Sequence, residues 1–241
     1  MPTRDDLRCD LALALRLANR FDLNEGIDNH FSVAVPGEDD RYLINPYGKH
    51  WSQLTAGDML YVDGEGNILE GEGKLDLTAL HIHIQGHRAR PDAVCIMHTH
   101  MPYATALTCR KEGRLRFVHQ GHLRYWNRVT YQDEFGGLAN DADEGRRLAE
   151  AAKTDIVFLA NHGVIVHGVS VAAAWHDLYF LERACEVQIL AETGGAELSE
   201  IPTQVADYTA RQIIDAVEYE ATSHFAAMRD VLADERPYFA S

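Results

Sequence analysis

Leucine and alanine recur at helical spacing through "DDLRCDLALALRLANRF", with Asp5 and Asp6 in the first turn, where the helix dipole favours acids. The pattern then changes. "HFSVAVP", "RYLINP", "MLYVD" and "NILEG" alternate or cluster apolar residues over a few positions, separated by turn clusters such as "PGEDD" and "DGEGN". This spacing predicts short strands joined by tight links. "LDLTALHIHIQGHRA" returns to helical spacing, and "DAVCIMHTH" predicts a buried strand. "PYATALTCRK" predicts a helix, "LRFVHQ" and "RVTYQ" short strands, and residues 143–153 an amphipathic helix. "DIVFLAN" and "GVIVHG" predict two strands around His162 and Gly163; residues 170–193 and 204–230 predict long helices.

Helices bracketing a run of short strands imply an α/β fold, a sheet with helical layers on its faces. The tight strand-to-strand links make much of that sheet antiparallel. With no internal repeat, low-complexity tract or linker, the 241 residues are expected to form a single domain.

Charge narrows the partners. The 37 acidic and 22 basic residues leave a formal net charge of −15, which repels phosphate backbones and anionic lipid. Nucleic acid and membrane surfaces are therefore not expected partners. No apolar run reaches the roughly 18 residues of a membrane span, so the cytoplasm is the default compartment. Cys9, Cys95, Cys109 and Cys185 are widely spaced and read as reduced packing residues.

Thirteen histidines carry the candidate chemistry. His81, His83, His87 and His176 fall on predicted helices and read as surface or satisfied core residues. His98 and His100 differ. On a strand, positions i and i+2 face the same side, so both imidazoles can reach one ion. His162 follows a buried strand, next to a glycine that permits a sharp turn. The three together offer a face of neutral nitrogens for a divalent cation, with coordination positions left for a substrate. A structural polar cluster is the alternative from spacing alone.

The stretches "RPDAVCIMHTHMPYATAL", "FLANHGVIVHG" and "ERACEVQILA" resemble the class II aldolase and adducin superfamily, over residues 5 to 195 or so. The resemblance implies a three-layer α/β/α fold around a mainly antiparallel sheet, with residues 200–241 as a helical extension beyond it. It also implies one divalent metal per subunit (zinc, manganese or iron) on His98, His100 and His162, and a homotetramer with sites at subunit boundaries. In relatives a C-terminal residue can reach a neighbour's site, which makes Tyr238 a candidate here.

Departures from the family's sugar-phosphate aldolases are informative. Their Gly-Asn-x-Ser turn is replaced by "NHFS", with Asn29 and His30 in the first two places. Their Thr-Pro-Ser/Thr-Gly loop reads Asn45-Pro46-Tyr47-Gly48, and their Ser-Ser pair falls on Leu77 and Thr78. These changes remove compact donors to a phosphate dianion. The acid that follows the pair falls on Ala79, leaving Asp76 one turn earlier as its replacement, and the tyrosine that protonates a leaving aldehyde falls on Gln120.

The chain is thus expected to be a metal-dependent carbon–carbon lyase. Its substrate is a small, non-phosphorylated hydroxy, oxo or hydroxylated aromatic acid, with decarboxylation favoured over aldol-type cleavage. His30, Asp76 and His119 are the candidate proton carriers. Asn29, Asn45, Tyr47, Gly48, Lys49, Trp51, Gln120 and Arg124 are the candidate substrate contacts. A non-haem iron oxygenase acting on an aromatic or 2-oxo acid, and a non-catalytic adducin-like oligomerisation module, are the alternatives.

Overall fold

The computed structural model of the chain describes residues 2–139 and 142–241, apart from the side chains of Ala142 and Tyr238. Eight strands form one sheet: β1 (His30–Ala34), β2 (Arg41–Ile44), β3 (Leu60–Asp63), β4 (Ile68–Glu70), β5 (Cys95–Thr99), β6 (Val129–Gln132), β7 (Ile156–Leu159) and β8 (Gly163–Gly168). Their spatial order is β4-β3-β2-β1-β5-β8-β7-β6. Every neighbouring pair is antiparallel except β6 with β7. The helices are α1 (Arg4–Arg20), α2 (Leu77–Ala79), α3 (Gln85–Ala89), α4 (Pro102–Thr108), α5 (Ala142–Ala151), α6 (Val171–Glu192), α7 (Thr203–Val231) and α8 (Arg236–Phe239). A π-helical turn, Leu80–Ile84, joins α2 to α3 into one helical run.

Strand alternation sorts side chains between two layers. Phe31, Val33, Leu43, Cys95, Met97, Ile156, Phe158, Val164 and Val166 point to one face, where α1, α4 and α6 supply Leu11, Leu15, Leu107, Trp175 and Leu178. On the other face Ile96, Val157, Leu159 and Ile165 meet Ile82 and Leu148, while Tyr42, Ile44, Leu60 and Val62 meet Ala79 and Ile84. The architecture is three layers, α/β/α.

Between the two apolar clusters of that second face runs a polar seam: His30, Ser32, His83, His87, His98 and His167, all buried. His83 and His87 sit four residues apart on one inward helical face. Of the two settings their helical position allows, surface or satisfied core, they take the second, as buried partners of the sheet.

The chain departs from expectation at "LRFVHQ". No strand forms there, because side chains satisfy its backbone: Leu115 N–H donates to Tyr131 Oη, and Arg116 N–H to Gln188 Oε1. A 3-10 turn over Gln120–Tyr125 follows. The Arg-Pro-Asp motif also has a structural role, with Arg90 bonding both Asp92 and Asp155 and so tying the approach to β5 to the approach to β7. The C-terminal helix α7 packs on α6, and Phe239 of α8 is buried beside α1. The Tyr238 side chain lies outside the described residues. No helix among the described residues is long and apolar enough to cross a membrane.

Candidate metal centre and cavity

His98 is the penultimate residue of β5, which is buried along its whole length, and His100 follows just past the strand on the same side. The third imidazole comes from the β7–β8 link. Leu159 pairs with Gly163, so only residues 160–162 turn the chain. Asn161 takes the left-handed conformation that the turn requires, at φ 56°. Gly163 serves otherwise than as the turn residue. A Cβ there would lie 2.5 Å from the Thr99 carbonyl oxygen and 2.8 Å from His100 Cδ2, so its bare Cα lets the hairpin close against β5.

The ligand atoms of His98, His100 and His162 all lie within 4.8 Å of one another. The ring centroids are 4.8 to 5.0 Å apart. Hydrogen bonds orient two of the rings. His98 Nδ1–H donates to the Val164 carbonyl at 3.0 Å, leaving the Nε2 lone pair free. His100 Nδ1 faces Glu25 Oε2 at 2.5 Å, and its Nε2 is buried without a partner. Burial holds His98 far below the ordinary imidazole range, and burial with the neighbouring His100 pushes His162 down to about 4. Neutral, pre-aimed nitrogens with one orphaned lone pair fit a divalent cation, and a carboxylate behind a ligand histidine is the usual support for one.

Residues 9–189 match the family described as Class II Aldolase and Adducin N-terminal domain. The chain belongs to that family. The solved structure of an aldolase II superfamily protein from Pseudomonas syringae superposes on 100% of this chain and 97% of its own, with a TM-score of 0.92 at 31% identity. Decarboxylase NovR of Streptomyces niveus is 34% identical over 206 residues, 84% of this chain and 75% of that protein. The 4-hydroxy-3-prenylphenylpyruvate oxygenase/4-hydroxy-3-prenylbenzoate synthase of Streptomyces roseochromogenus subsp. oscitans is 33% identical over 207 residues, 84% of this chain and 73% of that protein.

In this class II aldolase and adducin family member the three histidines open onto a cleft of about 720 Å³. Asn29, His30, Tyr47 and Asp76 line it with them. The remainder of the wall is largely apolar: Leu75, Leu77, Ile82, Phe135 and Leu138. Among the described residues Lys74 is its single lysine or arginine, against three carboxylates, Glu25, Asp28 and Asp76.

His30 pairs with His98 across β1 and β5, the rings stacked at 6.1 Å. Burial pushes it down to about 4; Asp76 acts against this, while His100 and His162 add to it. His30 Nε2 lies 3.9 Å from Asp76 Oδ1. Asp76 caps its helix, accepting from Thr78 N–H at 2.7 Å and Thr78 Oγ1–H at 2.5 Å. Burial raises its pKa, but the Thr78 hydroxyl and then His30 outweigh that and leave it below the usual range. Asn29 Oδ1 accepts from His100 N–H at 3.2 Å, and its Nδ2 is buried without a partner.

Other expected contacts lie elsewhere in the chain. Trp51 is fully buried on the opposite face of the sheet, its ring 4.9 Å from Phe31, so it is a core residue. Asn45 stands behind the wall, its Oδ1 accepting from Phe31 N–H at 2.8 Å. Gly48 occupies an exposed turn at φ 89°, and Lys49 is paired with Asp58 at 2.6 Å. Arg124 is bound under α6 and α7, donating to His176 Nε2 at 2.8 Å and Glu220 at 2.9 Å while covering Phe180. His119 and Gln120 are exposed at the start of the 3-10 turn, where His119 Nδ1 accepts from Gly121 N–H. None of these seven lines the cavity of its own chain. Sequence reasoning missed Glu25, Lys74 and Phe135. Lys74 alone carried a signal, the glycine-rich turn "EGEGK" just before the cap Asp76; its carbonyl accepts from Tyr47 N–H and so closes the cavity rim.

Proposed function

We propose that this chain is a metal-dependent lyase that breaks a carbon–carbon bond in a small carboxylated, non-phosphorylated substrate, with decarboxylation its principal reaction. The observation that carries this reading is the pairing of a three-imidazole centre with a cavity wall that has lost its means of holding phosphate. Three carboxylates face one lysine there, and Leu77 and Tyr47 occupy two positions where the aldolases present hydroxyls. A phosphate dianion finds few donors on such a wall. A planar hydroxylated aromatic or oxo acid can lay its body along Leu75, Ile82 and Phe135 and its carboxylate toward Lys74 or the centre. The decarboxylase NovR, similar over most of this chain, supports the same class.

His98, His100 and His162 would hold the ion; zinc, manganese and iron all accept imidazole. Bound there, it supplies Lewis acidity to substrate oxygens as negative charge develops. His30 Nε2 takes the proton of the substrate hydroxyl. The bond to the carboxylate then breaks, its electron pair stays with the substrate, carbon dioxide leaves, and His30 returns the proton to carbon. Product oxygen recovers a proton from solvent. Asp76 holds His30 in place electrostatically, and Asn29 Nδ2 is positioned to donate to a substrate oxygen. In a homotetramer, exposed His119 and Gln120 would be free to contact a neighbouring subunit.

The test is a screen of hydroxylated aromatic, 2-oxo and sugar acids, beside phosphorylated ketoses, with zinc-, manganese- and iron-loaded protein. Carbon dioxide release from the acids is expected. Turnover confined to phosphorylated ketoses contradicts the reading, and no turnover with no retained metal favours an adducin-like assembly module.

A second reading, a non-haem iron oxygenase on an aromatic oxo acid, draws on the neutral three-histidine set and on the similarity to the prenylphenylpyruvate oxygenase. Iron-dependent oxygen consumption without anaerobic turnover selects it over the lyase.

A further inference from the structure

His30 and Phe31, the first residues of β1, extend past the end of β2, whose pairing stops at Ser32 and Ile44. The backbone beyond Ile44 does not continue that ladder. Pro46 has no N–H to give, and the Tyr47 N–H donates to the Lys74 carbonyl at 2.9 Å. The buried side-chain amide of Asn45 takes their place. Its Oδ1 accepts from Phe31 N–H at 2.8 Å, and its Nδ2 donates to the Asn29 carbonyl at 3.5 Å, the long end of hydrogen-bond range. A side-chain amide carries the donor and acceptor of a peptide group, so one residue serves the peptides on both sides of His30.

What this holds in place is Asn29. Its backbone is left-handed at φ 74°, a region that residues other than glycine rarely adopt and keep only where their surroundings impose it. In that conformation its Oδ1 accepts from His100 N–H at 3.2 Å. A backbone N–H can only donate, which settles the orientation of the amide: oxygen on His100, nitrogen turned away from it. That Nδ2 is buried without a partner, in a residue that lines the metal cavity. Hydrogen bonds thus run from Asn45 to Asn29 and from Asn29 to His100 with no gap between them. Both asparagines stand at departures from the aldolase motifs, Asn29 in place of glycine and Asn45 in place of threonine. A glycine takes a left-handed φ unaided and needs no such hold.

We infer that Asn45 is a positioning residue: its amide stands in for the missing strand, keeps Asn29 left-handed, and so holds Asn29 Nδ2 at the cavity and Asn29 Oδ1 on the backbone of a metal-ligand histidine. The inference deepens the reading above, on which its effect on turnover rests. It also says what the substrate brings. Asn29 Nδ2 has two hydrogens and no acceptor among the described residues, so the substrate supplies one, a carboxylate, keto or phenolate oxygen.

Amide hydrogen exchange of the zinc-loaded protein, followed by NMR, tests this. Phe31 and His100 are compared with Ile165, which pairs with Val157 well inside the sheet and reports general loss of stability. Asn45→Leu is expected to speed exchange about tenfold at both Phe31 and His100, one hydrogen bond lost at each, with Ile165 unchanged. Faster exchange at Phe31 alone makes Asn45 a local structural residue and overturns the inference, as does no change at either. Should Ile165 accelerate equally, Asn45→Asp at pH 8 decides. Its carboxylate keeps the acceptor for Phe31 N–H and removes the donor to the Asn29 carbonyl, so His100 alone is expected to accelerate; protection retained at His100 overturns the inference. With an acid substrate, Asn45→Leu is expected to lower kcat/KM about tenfold in the parent and to cost little further in Asn29→Gly, where the amide it positions is gone. Full additivity of the two changes also overturns it. The exchange rates need no substrate, so absence of turnover counts against the lyase reading alone.

Discussion

Glu25 Oε2 lies 2.5 Å from Nδ1 of His100 and so fixes which nitrogen that imidazole turns toward His98 and His162. The carboxylate is largely exposed, so it adds little to the core. Its effect falls on the basicity and aim of the ring. Glu25→Gln is expected to weaken zinc binding about ten- to a hundredfold, the usual range for a lost carboxylate behind a ligand histidine, while thermal stability of the metal-free protein stays unchanged. Competition with a fluorescent chelator measures the first and thermal unfolding the second.

Gly163 makes a prediction of the opposite kind. A Cβ at that position meets the Thr99 carbonyl and the His100 ring, neither of which can move without disturbing β5. Gly163→Ala should lower stability by about 1–3 kcal/mol through overpacking and reduce metal retention at the same time. Chemical denaturation with parallel metal analysis reads both. A variant as stable and as metal-rich as the parent would mean the hairpin has more room than this geometry gives it.

These two residues mark what the sequence could and could not reveal. The histidine pair was legible because strand periodicity needs only local information: "AVCI" reads as buried strand, and i, i+2 then share a face. Gly163 was legible as a special position, but its reason was not, because the atom it avoids belongs to another strand. "LRFVHQ" has good strand composition, yet Tyr131 and Gln188 reach its backbone first, from distant segments. Arg124 looked like a substrate cation because its partners, His176 and Glu220, come from helices that a linear reading cannot fold over it. His83 and His87 could be read only as surface or satisfied core residues for the same reason; the sheet supplies the Ser32 that decides for the core.

Acid should destabilise the protein from slightly acidic pH downward. Burial depresses His83 strongly and pushes His87 and His167 down to about 4. In the unfolded chain they titrate near 6.5, so between about 6.5 and about 4 the unfolded state binds more protons. Stability from these groups is therefore complete above about 6.5 and is lost as pH falls, each histidine contributing up to about 1.4 kcal/mol per pH unit. Urea unfolding of the metal-free protein at a series of pH values checks the slope without interference from released ion. A flat profile across that window would contradict the neutral, buried assignment.

Among the described residues Lys74 is the cavity's one lysine or arginine, and it is exposed at the rim. If it receives the substrate carboxylate, Lys74→Met should raise KM for an acid substrate about tenfold and leave kcat within about twofold, the signature of lost uniform binding. An uncharged ester or amide analogue should be insensitive to the same change. Equal losses with charged and neutral analogues would place the carboxylate elsewhere.

The whole account depends on His98, His100 and His162 sharing one cation. Anomalous diffraction at the zinc edge, on crystals of metal-replete protein, tests this most directly. One peak per chain is expected, bonded to the three Nε2 atoms and facing the cleft, and it should vanish in His100→Ala. Absence of a peak there in metal-replete crystals, or a peak bound by other residues, would contradict it.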